Sequence, residues 1–188
     1  NCSQFIPKEL AIGTSRGVDT FLFKSPEAFE NLTPRNRSRV HYAERFIHGL
    51  RYDSGYIELN DLSEILGRLT QYDVVFVKGD IKHSFLHKYF CLNPPEASRM
   101  ELVNIEMVLE EHLHSPIPNF RRNESFLPLC RHHTRGGFRC SFLNVTNLLN
   151  WFREAAPTFV ENCWNKRYLN QNRTCLLYTS PSPRDGLL

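Results

Sequence analysis

No apolar run in the chain approaches the roughly 18 to 20 residues a membrane-crossing helix needs, and no basic segment followed by an apolar one opens it. The expectation is a protein with no membrane partner and no secretory leader. Cysteine is sparse as well: six residues, at positions 2, 91, 130, 140, 163 and 175 of a 188-residue chain, fall far below the density of a disulfide scaffold. A reducing, intracellular setting, cytoplasm or nucleus, is expected. Neither sign of charge dominates, since 23 Lys and Arg stand against 20 Asp and Glu for a net +3. Such a balance permits nucleic-acid binding without demanding it.

What is present suits one compact domain. The chain is 41% hydrophobic and 12% aromatic. At this length it can bury one core and is too short for two ordinary ones. Leu10-Ala-Ile-Gly and Thr20-Phe-Leu-Phe-Lys flank a polar stretch containing Gly17, which predicts a hairpin stopped by Pro26. Val40, Ala43, Phe46, Ile47 and Leu50 recur at helical spacing over 36–50. Leu62, Ile65, Leu66 and Leu69 form a second apolar stripe, with Asn60 or Asp61 as candidate cap.

Val74-Val-Phe-Val is a continuous apolar run of strand length, expected at the centre of a sheet and buried on both faces. Lys78-Gly79-Asp80 turns the chain into a helix carrying Ile81, Phe85, Leu86 and Phe90. A short strand at Leu102-Val-Asn-Ile and an acidic helix follow, then a proline-rich loop over 115–128 and closing helices from Ser141. The order β-β-α-α-β-α-β-α-loop-α predicts an α/β fold with a mixed sheet flanked by helices.

The stretch from Cys130 to Cys140, Cys-Arg-His-His-Thr-Arg-Gly-Gly-Phe-Arg-Cys, carries the clearest chemistry. Cys130-x-x-His133 and Cys140 offer three zinc ligands around a Gly-Gly turn, with His132 as a local candidate for the fourth. The competing reading is that both cysteines are small core residues and the histidines lie on the surface.

Taken in order, several segments resemble the exonuclease branch of the ribonuclease H-like fold, the DEDDh family. They are the opening hairpin with Glu9, His48-Gly49-Leu50 ahead of the Gly55 turn, Lys78-Gly79-Asp80-Ile-Lys82 followed by Phe85-Leu86, and Cys140-Ser-Phe-Leu-Asn144-Val145 on a late helix. The same segments are similar to a group of uncharacterised arthropod proteins related to mobile elements or viruses. This resemblance covers about residues 5 to 153. It implies a ribonuclease H-like mixed sheet with a Cys/His loop before the last helix. From a Cys-Pro in the related proteins, where this chain has His114-Ser-Pro116, it also implies His114 as the fourth zinc ligand beside Cys130, His133 and Cys140.

Active members of that family hold two divalent ions with four carboxylates. Here only Glu9 matches: Pro7 stands at the partner Asp position, Lys82 at the central one, Asn144 at the late one, and Arg139 where the family has a His. A lysine amine added to a cage for two Mg²⁺ costs several kcal/mol per like-charge pair at an effective dielectric near 20. The expected function is therefore a catalytically inactive exonuclease-like domain with a structural zinc, binding nucleic acid or another protein, with Lys78, Lys82 and Asn144 as binding candidates. The alternative is an active 3'-5' exonuclease that uses Mg or Mn with Glu9 and Asp80 in an altered cage.

Finally, Cys175 to Asp185 resembles the translation of a sequencing adapter. The expected domain is thus 1–174, with 175–188 foreign and disordered, and Cys175 no ligand candidate.

Overall fold

The computed structural model describes residues 6–92, 100–107, 132–133, 140–163 and 174–181, with backbone alone at 153–163, 174 and 178–181. It is an α/β fold built on a five-stranded mixed sheet. The elements are β1 (Pro7–Thr14), β2 (Gly17–Leu22), α1 (Pro34–Phe46), α2 (Leu62–Gly67), β3 (Val74–Val77), α3 (Asp80–Leu92), β4 (Glu101–Asn104), α4 (Ser141–Cys163) and β5 (Thr174–Pro181). Strand order across the sheet is β2-β1-β5-β3-β4. β1 runs antiparallel to both its neighbours, while β3 is parallel to β4 and β5.

The expected hairpin is present, turning at Ser15-Arg16, with Thr14 Oγ1 accepting from Arg16 N at 3.1 Å. Helix α1 starts where Thr33 Oγ1 accepts from Asn36 N at 3.3 Å and Pro34 takes the first helical position. It stops at Phe46, earlier than the periodicity suggests, because Gly49 at φ +67° turns the chain away. Phe46, still in the helix but about 120° round it from Val40, lies off the buried stripe and is 62% exposed. Ile81, expected on the inner face of α3, is likewise exposed. Asp61 precedes α2 without a side-chain capping bond. The acidic helix is described only as far as Met107, and the 115–128 loop lies outside the described residues.

Two hydrophobic layers sandwich the sheet. On one face Leu10, Ile12, Val75, Val77 and Leu177 pack with Ile65, Leu66 and Leu69 around α2 and with Leu86 of α3. On the other, Ala11, Val74, Phe76 and Leu176 pack with Val145 and Leu148 of α4. Close approach of α4 depends on Gly13, where an added Cβ would stand 2.3 Å from Val145 Cγ1. The period-two alternation of β1 thus sends even residues to α2 and α3 and odd residues to α4.

Lys8 and Glu9, adjacent on β1, are both buried. A strand-end ion pair between them is the simple expectation from sequence, and the alternation overrules it by sending the two charges to opposite faces. Lys8 Nζ donates to Phe23 O at 3.0 Å, to Tyr52 O at 2.9 Å, and to Ser54 O, tying β1 to the 23–25 and 52–54 segments. Gly55 is required beside this cage: its φ is +135°, and a Cβ there would lie 2.4 Å from Phe23 O.

The largest departure from expectation is β5. Residues 175–181, expected to be disordered and outside the domain, form the middle strand together with Thr174, and it displaces β3 from the centre of the sheet. Their Cys-Leu-Leu-Tyr core has strand character, and β1 and β3 offer it an edge on each side. Cys175, Leu176 and Leu177 are all buried, and burial pushes the Cys175 thiol's pKa up. A chain ending at Arg173 leaves β1 and β3 separated by an unfilled gap. Compared by circular dichroism, residues 1–188 should melt cooperatively and residues 1–173 should not, and an unchanged melting temperature would contradict this placement.

Candidate metal centre

Glu9, His133 and Cys140 come together at the amino terminus of α4. Each is buried, and one donor atom from each lies within 4.8 Å of the other two. Strand β1 points Glu9 at α4 by the alternation above. Its Oε2 accepts the Ser141 backbone N–H at 2.8 Å. The carboxylate thereby satisfies an end-of-helix donor and meets the positive end of the helix dipole. Its Oε1 lies 3.9 Å from His133 Nδ1.

Cys140 caps the same helix. Its Sγ accepts from Leu143 N at 3.5 Å, and its carbonyl takes Asn144 N at 3.0 Å and Asn144 Nδ2 at 2.8 Å. Asn144, a binding candidate from sequence, is therefore spent inside the fold fixing the cap that presents the thiol.

An oxygen, an imidazole nitrogen and a sulfur form a donor set suited to a borderline ion such as zinc, and poorly suited to Mg²⁺, which takes oxygen. Tetrahedral zinc sets nitrogen and oxygen ligands roughly 3.4 Å apart, so Glu9 and His133 need to close by about half an ångström. The second carboxylate oxygen, held by Ser141 N–H, supplies the orienting hydrogen bond that metal ligands commonly have.

His133 and Cys140 of the predicted quartet are thus brought together, while Cys130 and His114 lie outside the described residues. His132 faces elsewhere, its Nε2 3.5 Å from Thr20 Oγ1 and its ring 5.8 Å from that of Tyr56. Of the nuclease candidates Glu9 belongs to this cluster, and Asp80 is not among its members. Asp80 is exposed at the start of α3 and accepts from Asn104 Nδ2 at 2.8 Å, and Lys82 Nζ donates to Lys78 O at 3.0 Å. Comparison with protein-family models, curated proteins and solved structures finds no match to this chain.

One neighbouring group has no signal in the sequence beyond the His-Gly turn. His48 is fully buried, and its Nδ1 accepts Leu50 N–H at 3.0 Å. That bond places the neutral ring's proton on Nε2. Nε2 has no hydrogen-bond partner among the described residues. Burial, and after it the charges of Lys8 and His133, bring the pKa of His48 from 6.5 down to about 4.

Between about pH 6.5 and 4 the unfolded chain protonates at this position while the folded one stays neutral. Stability present above pH 6.5 is therefore lost on acidification, by about 3 kcal/mol at full extent. His48→Asn keeps an acceptor for Leu50 N–H and removes this titration. We expect the drop in urea midpoint from pH 7 to pH 4 to be smaller in the variant, and an equal drop in both proteins would refute the assignment.

Proposed function

We propose that the chain is a catalytically silent exonuclease-like domain of the ribonuclease H-like fold, held by one structural zinc and acting as a binding module. The mixed sheet flanked by helices is compatible with that fold. The observation that carries the reading is the state of Glu9. It alone answers to the family's metal-binding carboxylates, and it is fully buried, bonded to a helix amide and set against a histidine and a cysteine.

A two-metal nuclease needs ions about 4 Å apart on carboxylates open to a phosphodiester. Glu9 pairs with Ser180, three positions past Leu177, and Leu177 pairs with Val77, which Asp80 follows by three. Glu9 and Asp80 therefore share one end of the sheet. Glu9 lies on β1 and faces α4, whereas Asp80 heads α3 just past β3, a strand separated from β1 by β5 and so about 10 Å away. The amine at Lys82 adds a positive charge near the second. Glu9 and Asp80 are poorly placed to share a metal cage.

Zinc at Glu9, His133 and Cys140 joins β1 to the 132–133 segment and the residue ahead of α4, which lie more than a hundred residues further along the chain. Metal binding here is folding energy. Two measurements on the whole chain test the reading together: protein purified from zinc-supplemented medium should carry about one zinc per chain, lost in Cys140→Ser, and should leave labelled single-stranded DNA and RNA intact in Mn²⁺. Degradation that disappears in Glu9→Gln would overturn the silent-domain reading.

A further inference from the structure

Helix α1 carries a stripe unlike any other surface of the described residues. At about 100° per residue, Arg35, Arg39, Tyr42 and Phe46 fall within one narrow arc, with Arg45 on its flank. Tyr42 is 56% and Phe46 62% exposed. The other large exposed apolar side chains among the described residues, Tyr56, Ile81, Leu92 and Met107, stand singly on separate elements or at opposite ends of one.

The two aromatics pack against each other in a tilted arrangement. Their ring centroids are 5.1 Å apart at 42°, and the Arg45 guanidinium carbon lies 5.3 Å from the Phe46 centroid. Arg35, Arg39 and Arg45 have no carboxylate partner among the described residues. Several exposed cations elsewhere do, Arg51 with Asp53 at 2.6 Å, Arg68 with Glu64 at 2.8 Å, and Lys24 with Glu58, whereas Arg16 and Lys88 stand singly on other elements. The acid on this helix, Glu44, is used internally, its Oε1 accepting Tyr52 N–H and its Oε2 lying 3.6 Å from His41 Nδ1.

The helix is also rigidly backed. Val40 and Ala43 are buried, and Tyr52, which packs with Val40, passes its carbonyl to Lys8. A row of guanidinium groups with no carboxylate partner among the described residues, interleaved with exposed rings, is the chemistry that takes phosphates and bare base faces at once. Duplex hides those faces, and an acidic polypeptide has none to offer.

We infer that the outer stripe of α1, Arg35, Arg39, Tyr42, Arg45 and Phe46, is a binding surface for single-stranded nucleic acid. This inference rests on the binding-module reading and names its partner. It is independent of the zinc centre.

The test uses the full chain and fluorescein-labelled oligonucleotides, dT20, rU20 and a 20-base-pair duplex, followed by anisotropy across salt concentrations. Both single strands should bind more tightly than duplex, with a log–log salt slope of about −2 if three arginines each meet a phosphate. Arg35→Ala, Arg39→Ala and Arg45→Ala should each flatten that slope, and Tyr42→Ala should weaken binding about tenfold by removing a stacked base. All four positions lie on the outer face, so unchanged melting temperatures show that the fold is kept.

Equal affinity for duplex, or competition by polyglutamate as effective as by dT20, overturns the base-stacking assignment. Wild-type binding in the combined Arg39→Ala/Tyr42→Ala/Arg45→Ala variant shows that another surface binds and overturns this one, while leaving the binding-module reading intact. Absence of binding to every oligonucleotide overturns the inference, with zinc content and nuclease silence still judged separately.

Discussion

Two adjacent charges buried on one strand organise this molecule. Burying an ammonium or a carboxylate costs several kcal/mol unless partners surround it, and β1 buries both in consecutive positions, on opposite faces of the sheet. Lys8 gathers three backbone carbonyls from the 23 and 52–54 segments. Glu9 gathers the first amide of α4, with His133 and Cys140 close by. Each charge is satisfied only when a distant segment is in place, so the pair couples the folding of both faces to that of β1. The arrangement also supports the proposed silent-domain reading, because Glu9 is buried and bonded to a helix amide beside a Cys/His pair.

Much of the fold was legible in the sequence because hydrophobic period reports it directly. Val74-Val-Phe-Val read as a strand buried on both faces, and it is one. Ile65, Leu66 and Leu69 read as a helical stripe facing the core, and all are buried. Periodicity misled where its apolar residues outran the packing surface: Phe46 and Ile81 fit the pattern and face outward. The strand at 174–181 was missed for another reason. Its resemblance to an adapter speaks of origin, whereas pairing between β1 and β3 depends only on extended backbone and apolar side chains that fit the sheet.

The candidate site was half legible. The spacing of His133 and Cys140 around a Gly-Gly turn pointed to metal, and both are in the cluster. Glu9 was singled out as a nuclease carboxylate, but its joining them follows from a contact across 132 residues, Ser141 N to Glu9 Oε2, which local sequence patterns do not encode. Lys8 and His48 carried no signal as buried groups, since a lone Lys or His is ordinarily solvated. What places them inside is the strand alternation and the turn at Gly49, and only tertiary packing reveals the result.

The central claim is that Glu9, His133 and Cys140 bind one metal ion together. X-ray absorption at the zinc edge addresses it most directly. The nearest neighbours of the ion should include sulfur at about 2.3 Å with nitrogen or oxygen at about 2.0 to 2.1 Å, the whole pattern being lost in Cys140→Ser and in Glu9→Gln. Zinc bound by sulfur and nitrogen in a pattern left unchanged by Glu9→Gln, or no bound zinc in the folded protein, would contradict it.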